Sequence, residues 1–511
     1  HGMRLGFNLG LNGGGAGGAS LLSGAVEIWA MGDSITRQNM QGSKAPVGYI
    51  TGVGIANPGT VTQATNLLAN NDKVFYHSLL GTVELNDTVR QVAAAGAGDP
   101  TYTLTDSLAA ATALSSSSGQ AFAIDNATLG NAQIGYLTWA NQYFGQRLTY
   151  KIKQNRGITG EKSTEMVARK EVSFPAAILG AKKILVLLPG TNDASNGVSA
   201  STFAANLDSL IDFAINTRGF DYVIVGTPCP KDGDNSTAKD LKDAYVAGVR
   251  ARVGVNPKVK VWDFYDDVTD LPTRNWKTGF ARADLVHPAA LGAQAMGAKL
   301  ADVYATILTA PPAFSVPGSN LTSNPTMTGT GGTATGATNN GTATGYAATF
   351  AGSAAAGGTT MSKSAGGSQL IDFSFGAGTG DNSIFFSTTV LAASLTDGQF
   401  YQAKAVMNLK SFSGTGDFRE MALTLRSNTA LLSTDGGVVS GTPSSENNNN
   451  PATTVTRHAA IPGQFATPAM QFKTGMTGLT VRGSFRFNST NALAGQIEIV
   501  NITLEPVSSP Y

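Results

Sequence analysis

Apolar and polar positions alternate along this chain in three different ways. Around residues 25–37 and again from about 150 to 310, short continuous apolar runs are followed by stretches whose apolar residues recur every three to four positions. The run Val26, Ile28 and Ala30 with Trp29, the run Ile184-Leu185-Val186-Leu187-Leu188, and the shorter Tyr222-Val223-Ile224-Val225 and Val259-Lys260-Val261-Trp262 read as strands buried on both faces. Phe203, Leu207, Leu210, Ile211 and Ile215 fall on one face of a helix that Gly219 stops. Ala238 to Val253 and about Ala289 to Leu308 predict two further helices, and Pro311-Pro312 closes the unit. Strands and helices in alternation predict a parallel sheet covered on both faces, an α/β fold.

Two regions depart from that pattern. From about 39 to 134 the chain is rich in Ala, Gly, Ser and Thr, with β-like pieces such as Val74 to Leu80 and a segment, Thr105 to Leu114, that reads as helical. The helix expected after the first strand arrives only at Tyr136 to Phe144, ended near Gly145, and Leu148 to Ile152 follows as a strand. Residues 39–134 therefore read as an insertion that leaves beside Ser34 and overhangs whatever site lies there. Phe75, Tyr76 and Tyr102 would line a pocket in it or, the preferred reading, form its core. Beyond about residue 315, the Thr/Gly/Ala/Asn stretch Thr328 to Gly345 precedes alternating segments at Ile371–Phe375, Tyr401–Leu409, Met421–Leu425, Leu479–Phe487 and Ile497–Leu504. These predict an antiparallel sandwich or jelly roll. Exposed, Tyr401, Phe386 and Phe472 would suit a carbohydrate platform; buried, they would fill the sandwich. The organisation expected is a Gly-rich lead over 1–24, an α/β domain over 25–312 and a β domain over 315–511.

Composition sharpens this in only a few respects. A chain of 511 residues is long enough for two or three domains, and 61 glycines with 14% charged residues fit a loop-rich β portion. A formal charge of +1 without a basic cluster gives no reason to expect nucleic acid or an anionic membrane as partner. No apolar run approaches the ~18 residues of a membrane span. Cys229 is the single cysteine, so no intrachain disulfide is expected. The segment Met3 to Leu11 is too short and glycine-interrupted for a signal-peptide core, and Gly13 to Gly18 reads as a flexible lead.

The candidate chemistry begins where the first apolar run stops at Gly32-Asp33-Ser34. A serine at the carboxyl end of a strand can be a nucleophile; alternatively it only caps a helix. Asp284-Leu285-Val286-His287 places a carboxylate three residues before an imidazole, the spacing at which one ring nitrogen is oriented and the other faces a serine, unless it is a solvated loop. Pro189-Gly190-Thr191-Asn192-Asp193 follows the most apolar strand. Its side-chain amide could donate to an oxyanion, or it is a Gly-Asn turn with Asp193 capping the next helix. Asn155 to Ser163 follows another strand, and the N–H of Gly160 is either a second donor or part of a tight turn. All four fall at strand carboxyl ends or just before a helix, the one edge where they could converge.

Gly32-Asp33-Ser34, Gly160, Gly190-Thr191-Asn192-Asp193 and Asp284-x-x-His287, in that order, resemble the four blocks of the GDSL or SGNH hydrolase superfamily. The resemblance spans roughly residues 25–310 apart from the insertion, with Glu161 where an aspartate is common. It implies a flavodoxin-like three-layer α/β/α fold and ester hydrolysis through an acyl-enzyme. Ser34 would be nucleophile, His287 base and Asp284 its orienting partner. Ser34, Gly160 and Asn192 would form the oxyanion hole, with Asp33 and Asp193 in support. No cofactor or metal is expected. Of the other histidines, His1 is terminal, and His77 and His458 lack ligand-spaced partners.

The expected substrate is an acetylated polysaccharide or another small acyl ester, making the chain a carbohydrate O-acetyl esterase. A lipase, thioesterase or general short-chain esterase is the alternative within the class, and a non-catalytic adhesive module the alternative outside it. The signal peptide not expected from Met3 to Leu11, the Gly/Thr/Ala-rich β segments and the appended sandwich also resemble phage or prophage tail-associated deacetylases. That likeness implies an extracellular or virion-associated place and leaves a homo-oligomer open, a trimer in the tail-associated case, although no coiled-coil heptads enforce one.

Overall fold

A computed structural model describes residues 21–22, 26–37, 50–63, 68, 70–71, 73–96, 99–115, 117–118, 120–123, 135–144, 148, 154–174, 182–282, 284–309, 315–352, 358–414, 417–427, 463–467, 469–489 and 491–508. The expected strand Leu148–Ile152 lies mostly outside these residues, as do His1, Gly13–Gly18, Asn447–Asn450 and His458.

The apolar runs form a five-stranded sheet from β1 (Val26–Gly32), β2 (Asn155–Gly157), β3 (Lys182–Leu188), β4 (Tyr222–Gly226) and β5 (Val259–Trp262). Its order is β2-β1-β3-β4-β5, and every pairing is parallel. That is the flavodoxin-like doubly wound order, in which the direction of strand addition reverses at β1. The helices are α1 (Ser34–Arg37), α2 (Tyr136–Tyr143), α3 (Ser163–Ser173), α4 (Thr191–Ser195), α5 (Ala200–Asp212), α6 (Ser236–Arg250), α7 (Tyr265–Val268) and α8 (Ala290–Ile307).

Alternation along the strands divides the core into two layers. Ile28, Ala30, Ile184, Val186 and Leu188 pack with Tyr136 and Ala140 of α2 and Met296, Leu300 and Tyr304 of α8. Trp29, Met31, Leu185 and Leu187 face the other way, against Met166 of α3, Phe203, Leu207 and Leu210 of α5, and Tyr245 and Val249 of α6. Side chains of period two on a sheet buried on both faces require this three-layer arrangement. The helix ends follow the expected capping chemistry, since Ser199 accepts from the Thr202 N–H at 3.1 Å and Asn235 from the Ala238 N–H at 2.9 Å. At Gly297 a Cβ would lie 2.4 Å from the Trp139 Cβ, so only glycine lets α8 approach α2 this closely.

Between α1 and α2, six antiparallel strands form a separate small sheet in the order Ile50–Gly54, Thr60–Gln63, Thr101–Leu104, Val89–Ala95, Lys73–His77, Gln120–Ala123. Val61, Val74, Tyr76, Val92, Tyr102, Leu104 and Leu108 are among the residues of its core, where the Tyr76 hydroxyl donates to that of Tyr102 at 3.0 Å. The expected helix over Thr105–Leu114 does not form. Its backbone makes a turn bond from the Ala111 N–H to the Leu108 carbonyl at 2.9 Å but otherwise reaches to other segments: the Leu108 N–H donates to the Ala56 carbonyl at 2.8 Å, and the Thr112 N–H to Glu84 at 3.2 Å. Leu108 is drawn into the sheet core, which overrides the local helical pattern.

The C-terminal region is all antiparallel apart from two short parallel pairings, and it forms two sheets. One runs Thr333–Thr335, Ala347–Gly352, Asp381–Leu391, Gly478–Asn488, Asp417–Ser427. The other runs Thr338–Asn339, Thr359–Lys363, Gln369–Phe375, Leu493–Val507, Phe400–Gly414, Gln464–Ala466, with Met470–Gln471 also on Phe400–Gly414. Their inner faces share one core, in which the Phe373 ring of one sheet lies 4.6 Å from the Phe487 ring of the other. Tyr401, Phe386 and Phe472 are all buried there, so they fill the sandwich and offer no surface platform. Trp139 of α2 and Ala293 of α8 join the same cluster, which seats the sandwich against the α/β unit. Among the described residues no helix is long and apolar enough to cross a membrane.

Candidate active site

Register brings the candidate residues to one edge. Gly32 pairs with both Gly157 and Leu188, so β1, β2 and β3 end at the same level, and the Ser34, Gly160 and Asn192 segments leave the sheet side by side. A Cβ on Gly32 would sit 2.2 Å from Thr36 Oγ1 and 2.8 Å from the Leu188 carbonyl, so glycine is what allows the strand to turn directly into α1. Ser34 is the first residue of that helix and 8% exposed. The capping role that Ser34 might have had belongs to Asp33, whose Oδ1 accepts from the Ile35 N–H at 2.9 Å. That leaves the Ser34 hydroxyl available for another partner.

The partner is His287. Its Nε2 lies 2.7 Å from Ser34 Oγ, and its Nδ1 lies 2.7 Å from Asp284 Oδ2. Asp284 shapes its own loop, because Oδ1 accepts from the N–H groups of Val286 and His287, each at 3.0 Å. Leu285 between them adopts the left-handed conformation, φ +60°, that such a tight fold requires. Two neighbours fix the loop: the Asp232 N–H donates to the Leu285 carbonyl at 3.0 Å and the Arg282 N–H to the His287 carbonyl at 2.8 Å. Partial burial pushes the Asp284 carboxyl up, but the hydrogen bonds from His287 and Val286 outweigh it and hold the group well below the usual carboxylate range. An ionised Asp284 accepts the proton on Nδ1, which leaves Nε2 as the acceptor for the serine hydroxyl.

Asn192 enters from α4, after Gly190 at φ +114°, where a Cβ would meet Pro228 at 2.9 Å. Its Nδ2 donates to the Glu161 carbonyl at 3.1 Å and, more weakly, to Asp33 Oδ2 at 3.3 Å. Gly160, φ +78° and exposed, sits in the turn between Ile158 and Glu161. The Ile158 N–H donates to the Gly32 carbonyl at 3.0 Å, which ties this turn to the strand that ends at Ser34. Asp193 does not cap the helix that follows it. It reaches across to α3, where it accepts from the Ser163 N–H at 3.0 Å and from the Ser163 hydroxyl, so it satisfies a donor for which the first turn of a helix has no intrahelical acceptor.

Residues 106–295 match the GDSL-like Lipase/Acylhydrolase family. The chain carries a GDSL/SGNH hydrolase domain. No curated protein matches the chain. Solved structures similar to it include an acetylxylan esterase from Geobacillus stearothermophilus in a catalytic-mutant form, with 14% identity over 57% of this chain and 98% of that one, TM-score 0.30. A member of the lipolytic protein G-D-S-L family from Veillonella parvula has 19% identity over 34% and 87%, TM-score 0.25. A carbohydrate esterase family 3 protein from Talaromyces cellulolyticus has 14% identity over 33% and 88%, TM-score 0.25. The matched family segment begins within the insertion, downstream of Ser34, and the 2.7 Å contact with His287 is what joins Ser34 to the matched residues.

Three carboxyls, of Asp33, Glu161 and Asp193, are buried beside these residues. Burial raises Asp33 to about 7, with Asp193 and Glu161 adding repulsion against the Ile35 hydrogen bond. It likewise raises Glu161 to about 7 against the pull of Arg169, and it raises Asp193 against its bonds from Ser163. Sequence reasoning did not single out Arg169 or Arg156, two buried arginines behind these groups. An arginine in an amphipathic helix and another in a three-residue strand carry no motif that distinguishes them from surface charges. His77 is buried in the insertion, its Nδ1 2.9 Å from Ser78 Oγ.

Proposed function

We propose that this chain is a serine esterase that removes acetyl or similarly short acyl groups from a carbohydrate. The observation that supports it best is the continuous hydrogen-bonded line Ser34–His287–Asp284 at the carboxyl edge of the sheet. In the proposed reaction Ser34 Oγ attacks the ester carbonyl carbon while its proton passes to His287 Nε2. The oxyanion is met by the N–H groups of Ser34 and Gly160 and by the Asn192 amide, whose long 3.3 Å bond to Asp33 is the one that gives way. As the carbonyl–oxygen bond to the alcohol breaks, Nε2 returns the proton to the leaving oxygen. Water then attacks the acyl-Ser34 ester, His287 again takes and returns a proton, and the carboxylic acid leaves.

The short-acyl preference has its own support. Of the aromatics that could have lined an acyl pocket, Tyr76 and Tyr102 are buried in the core of the insertion and Phe75 is buried against the Arg156 guanidinium. The insertion, which we place over the site as its lid, therefore contributes chiefly small and polar residues to the opening. The polysaccharide part of the reading draws on the appended sandwich, proposed to hold the polymer by polar contacts, since its candidate aromatics are internal. A series of p-nitrophenyl esters tests acyl length: kcat/KM is expected to be highest for acetate and to fall steadily with chain length. A preference for octanoate or longer would overturn the deacetylase reading in favour of a lipase or thioesterase. Acetate release from a panel of acetylated polysaccharides would then name the polymer.

A further inference from the structure

Arg169 is 2% exposed on α3, and every one of its guanidinium N–H groups has an acceptor. Nε and Nη2 both donate to the Glu161 carboxylate, Nη2 also to the Arg156 carbonyl at 2.7 Å, and Nη1 to Ser78 Oγ at 3.1 Å and Ser173 Oγ at 2.8 Å. These partners come from different parts of the molecule. Glu161 ends the Gly160 turn, and its carbonyl accepts from Asn192. Arg156 lies on β2. Ser78 belongs to the insertion, just past the strand Lys73–His77, at φ +62° and buried.

The insertion grips this region a second time. Asp87 pairs with Arg156 Nη2 at 2.6 Å, and the Arg156 guanidinium lies over Trp29 of β1 and Phe75 of the insertion, 5.2 and 6.0 Å from the ring centroids. Five donors in a rigid planar fork, all used, make a joint that a lysine ammonium cannot reproduce. The turn that presents Gly160 is consequently held at both ends, by the Ile158 bond to Gly32 on the strand side and by the Glu161 carboxylate on the Arg169 side.

We infer that Arg169 is a positioning residue that ties the insertion, through Ser78, to the Gly160–Glu161 turn and so sets the geometry of the two oxyanion donors Gly160 and Asn192. The inference rests on the esterase reading above. In this view the insertion is part of the catalytic framework as well as a cover: loosening its hold on Arg169 displaces donors that act only when the oxyanion forms. The effect belongs in kcat and leaves ground-state binding alone.

The test compares the full-length wild type, Ser78→Ala, Arg169→Lys and Ser34→Ala on p-nitrophenyl acetate, together with inhibition by phenylboronic acid, whose serine adduct is tetrahedral. Arg169→Lys is expected to lower kcat about 10- to 100-fold and Ser78→Ala about 3- to 10-fold, each with KM within about twofold and a parallel loss of boronate affinity. Should Arg169→Lys fail to fold by circular dichroism, Ser78→Ala, which removes one hydroxyl, decides alone. A folded Ser78→Ala with wild-type kcat and boronate affinity, or a loss confined to KM, overturns the inference. If Ser34→Ala hydrolyses the ester like wild type, the esterase reading fails; Ser34-dependent hydrolysis untouched by the other two substitutions removes only the role given to Arg169.

Discussion

Replacing Ser34 by alanine is expected to lower kcat for p-nitrophenyl acetate by about 10⁴-fold or more, with the fold intact. The size follows from what is removed. Ser34 Oγ is the atom that bonds to the acyl carbon, and no other hydroxyl lies within hydrogen-bonding reach of His287 Nε2 among the contacts of the described residues. His287→Ala should produce a loss of similar size, and the double substitution should be little worse than either, because the nucleophile and its base act as one unit. The residual rate reports what the oxyanion donors still contribute. Stability should change little, since Ser34 has no capping duty; that role falls to Asp33. Steady-state kinetics on the three variants, with thermal melts alongside, check both statements.

The second large effect is expected at Asp284. Asp284→Asn should reduce kcat by about 10³-fold, below the ~10⁴ seen when a buried orienting aspartate is replaced. An asparagine amide can donate to Nδ1, which puts the proton on Nε2 and turns the acceptor for Ser34 into a donor. The loss is smaller than for a buried site because the Asp284 side chain is 41% exposed and water can take part of its place. Stability carries a matching signature. Asp284 titrates below its ordinary value of 3.8 in the folded chain, so its contribution is present above about pH 3.8 and is lost as pH falls through the lowered value. The difference in Tm between wild type and Asp284→Asn should therefore be largest near neutrality and shrink in strong acid.

The sheet was legible because β3 and β4 carry continuous apolar runs and β1 and β5 are apolar apart from Glu27 and Lys260, and the helices because their apolar residues recur on one face. Ser34, Asn192 and the Asp284–His287 pair were legible for a different reason: each stands directly after such a strand or before a helix, where the doubly wound order converges. What stayed hidden depends on contacts between segments distant in sequence. Thr105–Leu114 has a helical pattern, yet Leu108 is claimed by the insertion core. Asp193 offered a cap for the next helix, but it accepts from the Ser163 N–H at the start of α3 instead. Arg169 and Arg156 acquire meaning only once Ser78 and Asp87 of the insertion are folded against them. Period and capping rules read one segment at a time, and no such rule identifies a buried guanidinium shared by several segments.

Whether ester hydrolysis proceeds through an acyl-enzyme on Ser34 is decided by mass spectrometry after treatment with a fluorophosphonate. One adduct per chain is expected, on the peptide containing Ser34, absent from Ser34→Ala and strongly slowed in His287→Ala, with esterase activity lost in proportion to labelling. An unlabelled Ser34 in an enzyme that still hydrolyses p-nitrophenyl acetate, or an adduct on a different serine that tracks the loss of activity, would contradict it.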